Sequence, residues 1–187
     1  MKLSIDVDDE IAKFFAQPPP EGPGPGNIRS VLFLLRRDLR DLAIPEDQTP
    51  SEGASAKAPV LTSGAIMIGF ELLARVWTGE NDPSQRQLAD AFKEILSLDG
   101  HTAELMVKFR NAVAHGYQLE IHARNGKKYR FALGDHVGWG LWFDKRQEGT
   151  EIEYHINFWE LRKRFLDSVA KVKTLLQNKA ETERRKN

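Results

Sequence analysis

Apolar residues recur at three- and four-residue spacings along most of this chain, and at every second position in one stretch past its middle. From Asn27, a residue suited to an N-cap, the positions Ile28, Val31, Leu32, Leu35, Leu39 and Leu42 share one helical face, with Arg36, Arg37 and Arg40 between them. That pattern predicts a first long helix. A short amphipathic segment over residues 8–17, carrying Ile11, Phe14 and Phe15, is cut off from it by PPPEGPGPG at 18–26, which cannot continue a helix. A second helix is predicted over residues 61–78. Its Ile66, Met67, Ile68, Phe70, Leu72, Leu73, Val76 and Trp77 occupy most of the circumference, which predicts a central position. Gly79 closes it and Pro83 opens a third, with Leu88, Phe92, Ile95 and Leu96 inward. A fourth follows Asp99-Gly100, turns Leu105, Met106, Phe109, Ala112 and Val113 inward, and ends where Gly116 supplies a left-handed cap.

The period then shortens. Residues 117–124 and 127–133 flank Asn125-Gly126, the strongest short hairpin signal, and a second pair, 140–147 and 151–157, meets at Glu148-Gly149-Thr150. Phe158, Leu161, Phe165, Val169, Val172 and Leu176 return to alternating spacings of three and four, the stripe of a long terminal helix suited to a bundle or a dimer seam. The predicted class is mainly α: a helical bundle with two β-hairpins inserted between the fourth and fifth helices. Residues 1–26 form an N-terminal segment and connector, 27–177 one domain with its insertion at about 117–157, and 178–187 a basic tail. The Pro-, Ser- and Glu-rich stretch 44–59 reads as a loop.

Composition narrows the chemistry. The chain has no cysteine, so disulfides, thiolate metal sites and thiol catalysis are excluded, and a reducing, cytoplasmic setting is expected. Asp6, Asp8, Asp9 and Glu10 stand where a secretory signal needs a basic start, and the apolar stretch 65–73 is interrupted by Gly69 and Glu71, so no membrane association is expected. Formal charge balances, with 27 basic and 27 acidic residues; residues 1–60 carry seven basic against ten acidic, and residues 157–187 nine against four. A nucleic acid would prefer the C-terminal end. His101, His122, His136 and His155 show no metal-ligand spacing, and neither metal nor cofactor is implied. Trp139, Trp142 and Phe143 are residues that stack bases in single-strand binders, although covering a hairpin face is the commoner use of such a group.

The concentrated chemistry is Phe109-Arg110-Asn111-Ala112-Val113-Ala114-His115-Gly116-Tyr117. Asn111 and His115 are four apart and share a helix face, so the amide can bond the imidazole and fix its tautomer. Arg110 lies five residues before His115, about 7.5 Å along the axis and about 140° around it, and only its long side chain brings the guanidinium back towards a common ligand. An imidazole at a helix C-terminus can act as acid or base near neutrality, and a fixed guanidinium can hold a phosphate and stabilise charge on phosphorus. The plainer alternative is a histidine bonding the last helix carbonyls, with Arg110 solvated and Tyr117 packing as a strand residue.

Arg110, Asn111 and His115 near the end of a late bundle helix resemble the Arg-x4-His signature of HEPN domains, and Tyr117 extends the match to the Arg-x4-His-x-Tyr form of HEPN toxins paired with nucleotidyltransferase antitoxins. The motif covers eight residues. The resemblance implies a homodimer in which two motifs face one cleft, and metal-independent endoribonuclease activity. It implies that His115 helps move the proton of a ribose 2'-hydroxyl, Arg110 stabilises the phosphorane, Asn111 orients or binds, and Tyr117 is open to modification by a nucleotidyltransferase. The forty or so residues of strand after Tyr117 depart from compact toxins. The competing reading is a non-catalytic RNA-binding or protein-interaction module, or one half of a toxin and antitoxin pair.

Overall fold

The computed structural model describes residues 11–12, 15, 35–36, 59–116, 119–123, 125–134 and 140–186. Among them the elements run α1 (Pro59–Thr78), α2 (Gln85–Leu96), α3 (Gly100–Gly116), β1 (Glu120–His122), β2 (Lys128–Gly134), β3 (Trp142–Glu148), β4 (Glu151–Asn157) and α4 (Phe158–Lys186). Leu35 and Arg36 are helical, but the rest of the helix expected from Asn27 lies outside the described residues, as do the connector at 18–26 and the loop at 44–59. Phe15 is buried, and its carbonyl accepts from the Arg36 guanidinium at 3.3 Å.

Helix α1 carries the core. It buries Ile66, Met67, Phe70, Leu73 and Ala74 on one side. The Phe70 ring meets Phe92 of α2 edge-on at 6.1 Å and Phe165 of α4 at 5.5 Å, so three helices converge on one side chain. Gly69 is required by this approach: a Cβ there would collide with the Phe165 ring and the Leu35 side chain. Among the described residues the opposite side is less covered, and Leu61 and Ile68 are 52% and 55% exposed. A helix apolar around most of its circumference is therefore central on one side only. By length and composition alone α1 could cross a bilayer; the core helix of a folded domain meets the same criterion, and here its two charged residues, Glu71 and Arg75, are ion-paired within the fold.

The helix ends are satisfied by their own sequence. Ser84 and Gln87 form a reciprocal capping box at the start of α2. Asp99 caps α3 from one side only, accepting from the Thr102 backbone N–H at 3.0 Å and hydroxyl at 2.7 Å. The C-terminus of α2 receives cations from α4: Arg164 donates to the Leu96 carbonyl at 3.0 Å, and Lys171 donates to the Glu94 carbonyl and to Ser97 Oγ. Each such contact opposes the partial negative charge of a helix end, worth roughly 0.3–1 kcal/mol.

The expected bundle with two separate hairpin inserts is overturned. Among the described residues, four helices accompany one mixed four-stranded sheet, order β1-β2-β4-β3, which lies between α3 and α4. β1 pairs β2 and β3 pairs β4 antiparallel, but β2 and β4 pair in parallel along seven positions, from Lys128 opposite Glu151 to Gly134 opposite Asn157. The physical reason is edge satisfaction. A lone two-stranded hairpin is marginal in water and leaves unpaired N–H and C=O groups, whereas joining β2 to β4 makes both of them interior strands. Tyr129, Phe131, Ile152, Tyr154 and Ile156 are buried, and Phe131 meets Phe109 of α3 at 5.4 Å, so the sheet packs on the helix that carries the candidate motif. Gly126 and Gly149 take positive φ at the two turns, as the hairpin chemistry requires. Asn157 ends β4 and starts α4, its Oδ1 accepting from the Trp159 N–H at 3.2 Å. α4 then continues as helix through the basic tail to Lys186.

Candidate functional site

Arg110 projects from α3 towards α1, where the next ionisable group is Glu71. Its Nε donates to Glu71 Oε2 at 2.8 Å and its Nη2 donates to the same oxygen at 2.5 Å. Its Nη1 donates to Asn111 Oδ1 at 3.0 Å. Glu71 Oε1 accepts from Arg75 Nη2 at 2.7 Å, one helical turn along α1. A single carboxylate thus stands between two guanidinium groups, and the trio carries one net positive charge. The Glu71 and Arg110 side chains are 15% and 24% exposed. Burial pushes the Glu71 carboxyl up, but hydrogen bonds and charge from Arg110 and Arg75 outweigh it and hold the group below its ordinary value. Glu71 is therefore ionised at neutral pH.

Glu71 and Arg110 lie at one end of a groove of ≈ 310 Å³ between α1 and α3, lined also by Leu61, Gly64, Ala65, Met67, Ile68, Val113 and Ala114. The helices come close beside it because Gly64 has no side chain; a Cβ there would stand 3.1 Å from Val113 Cγ1. The lining is apolar except at the Glu71 and Arg110 end. Such a surface suits an apolar partner face or a ligand with one anionic group.

Asn111 is buried, and its amide oxygen accepts from the Arg110 guanidinium. It helps to set the plane of the Arg110 head, while the expected bond from Asn111 to the His115 imidazole involves a side chain outside the described residues. His115 belongs to the last turn of α3, which is helical without interruption from Asn111 through Gly116, so the two residues do share a helix face. The side chain of His115 lies outside the described residues, and so does Tyr117. Arg110 and Asn111 are brought together directly; the groups that join them were absent from the sequence reasoning. Glu71 and Arg75 were the missed residues. A signal existed, because they are the only charged residues in the twenty of α1 and stand four apart. A lone acid in an apolar helix points to a specific cationic partner.

The other candidates that the structure describes make contacts within the fold. Trp142 packs inward against Phe131 at 6.2 Å and Tyr154 at 5.8 Å, so it is not a free stacking platform; Trp139 and the side chain of Phe143 lie outside the described residues. His122 pairs with Glu120 at 3.3 Å and His155 with Glu153 at 2.8 Å, and His136 lies outside the described residues. Among the described residues no three His, Asp or Glu converge as metal ligands. Of the basic run at 162–164, Lys163 pairs with Asp167 at 2.8 Å and Arg164 with Glu160 at 2.8 Å. Comparison of the chain with protein-family models, curated proteins and solved structures finds no significant match.

Proposed function

We propose that this chain is a HEPN-like protein that acts on RNA as a metal-independent endoribonuclease, with Arg110 as phosphate contact, Asn111 as its positioning residue and His115 as proton-transfer group. The observation that carries the reading is the Arg110 head itself: a guanidinium held in a fixed plane by Asn111 and Glu71 at the open end of a groove, five residues before His115 on one unbroken helix. A cation already oriented by Asn111 needs little reorganisation to stabilise charge developing on phosphorus once an anion takes the place of Glu71. The uncovered Leu61 and Ile68 beside the groove support a homodimer in which a second copy covers this face and brings its own motif close. Purified protein should cleave single-stranded RNA in EDTA, with His115→Ala and Arg110→Ala each lowering the rate by at least about a hundredfold. Cleavage that persists unchanged in both variants rejects the site.

One observation favours the second reading, a non-catalytic RNA-binding or protein-interaction module. Glu71 already occupies two N–H donors of Arg110, which weakens its hold on any external phosphate. Salt-dependent RNA binding with no product at any enzyme concentration would select that reading.

A further inference from the structure

Two arginines converge on one carboxylate, which lines the groove together with Arg110 and is the only anion in the trio. Glu71 Oε2 is gripped by Arg110 Nε and Nη2, and Glu71 Oε1 by Arg75 Nη2. This is the disposition in which guanidinium groups hold a phosphate: a paired-donor edge on one oxygen and a second cation on another. We infer that the Arg75 and Arg110 pair is a phosphate-binding site occupied by an internal competitor, Glu71, which a phosphodiester must displace before Arg110 can act. The inference rests on Arg110 being a phosphate contact and adds two things to it: Arg75 as second ligand, and Glu71 as the group that keeps the site closed.

Three observations separate this from a salt bridge that merely ties α1 to α3. The carboxylate is shared by two cations where one would neutralise it, so the site retains a net positive charge after pairing. Arg75 is 42% exposed and therefore free to follow an incoming anion. Glu71 and Arg110 line the groove between α1 and α3, which leaves a path by which Glu71 can turn aside. Asn111 meanwhile bonds a different nitrogen of Arg110, Nη1, so the guanidinium keeps an anchor when Glu71 leaves.

The test uses the full chain and two probes, inorganic phosphate and a single-stranded 2'-deoxy oligonucleotide that lacks the attacking hydroxyl. Glu71→Gln keeps the side chain's shape and removes its charge. It should bind both probes on the order of tenfold more tightly than wild type. The slope of log affinity against log salt for the oligonucleotide should steepen by about 0.7, the increment for one further phosphate contact on a single strand. Adding Arg75→Gln to that variant should remove most of the gain. Thermal melts of each variant show whether it is folded, and a Glu71→Asp variant, which keeps the charge, serves if Glu71→Gln does not fold: its shorter reach should raise phosphate affinity without the full gain. Equal or weaker phosphate binding by every folded Glu71 variant overturns the inference and leaves Glu71 as a helix tie. Gain of phosphate binding that depends on Arg75, in a protein that neither binds nor cleaves RNA, keeps the anion site and discards the RNA reading.

Discussion

Glu71 and Glu120 look alike in a contact map and differ in what surrounds them. Each stands between two cations: Glu71 between Arg110 and Arg75, Glu120 between Lys128 at 3.1 Å and Arg130 at 3.2 Å. Each carboxyl is held below its ordinary value, and the two side chains are almost equally covered, 15% and 19% exposed. The cover is different in kind. Glu120 is shielded by the Lys128, Arg130 and His122 side chains, and of these Arg130 is half exposed and His122 76% exposed, on the open face of the sheet. Glu71 is shielded by two packed helices, and its main partner is 39 residues away. Accessible surface alone would rate them the same. The charge under solvated side chains stays in high dielectric and is screened by salt; the charge between helices is screened much less.

The sharpest way to break this comparison is to remove one cation from each trio. Arg110→Met strips Glu71 Oε2 of both its donors between the helices and should cost about 2 kcal/mol of stability, below the roughly 3–5 kcal/mol seen for fully buried pairs because Arg75 still neutralises the carboxylate and the site is partly open. The double variant Arg110→Met with Glu71→Met should recover part of that loss, since replacing a whole pair by apolar groups is far less costly than orphaning one member. Urea midpoints at constant m-value measure both. A double variant less stable than Arg110→Met alone would show that the pair contributes through packing and not charge.

A smaller effect appears with pH. The folded Glu71 carboxyl lies below its ordinary value of 4.5. Its contribution is therefore fully present above about that pH and is lost as pH falls through the lower, folded value. The stability gap between wild type and Glu71→Gln should be widest at neutral pH and close on acidification. Asp99 and Glu120 shift in the same direction, so only the difference between the two proteins isolates Glu71. A gap that stays constant from pH 7 to about 3 would remove the electrostatic account.

The same contrast explains what could be seen in the sequence. The inward stripe Leu88, Phe92, Ile95 and Leu96 was legible because helical period reports which face a residue occupies, and those four are buried. The turns at Gly126 and Gly149 were legible because positive φ selects glycine. Neither signal names a partner across the fold. The parallel pairing of β2 with β4 depends on strands that alternate in the same way whichever neighbour they take, so two hairpins and one mixed sheet share one sequence pattern. At the site, Arg110 and Asn111 stood out because they are adjacent in a recognisable string. Glu71 did not, because the apolar period of α1 drew attention to burial and the pairing spans two helices. Uncovered Leu61 and Ile68 were illegible for a related reason: apolar residues all round a helix show that it wants cover, not which side receives it from its own chain.

The smallest expected effect belongs to the sheet. Glu120→Gln removes the shared carboxylate of the β1 and β2 face, yet Lys128 and Arg130 each keep a second acid, Glu151, at 3.4 Å and 3.6 Å. Those replacements lie across the parallel β2 and β4 seam, in solvent, where such pairs re-form at little cost. The melting temperature of Glu120→Gln should therefore stay within about 2 °C of wild type in physiological salt, and raising salt to about 0.5 M should erase the remaining difference. The loss caused by Arg110→Met should largely survive the same salt, because Glu71 and Arg110 are mostly buried between α1 and α3, where screening is much weaker. If added salt instead abolished both differences equally, Glu71 would lie in the same screened environment as Glu120, and its claim to sit at a distinct, functional end of the groove would have no electrostatic basis.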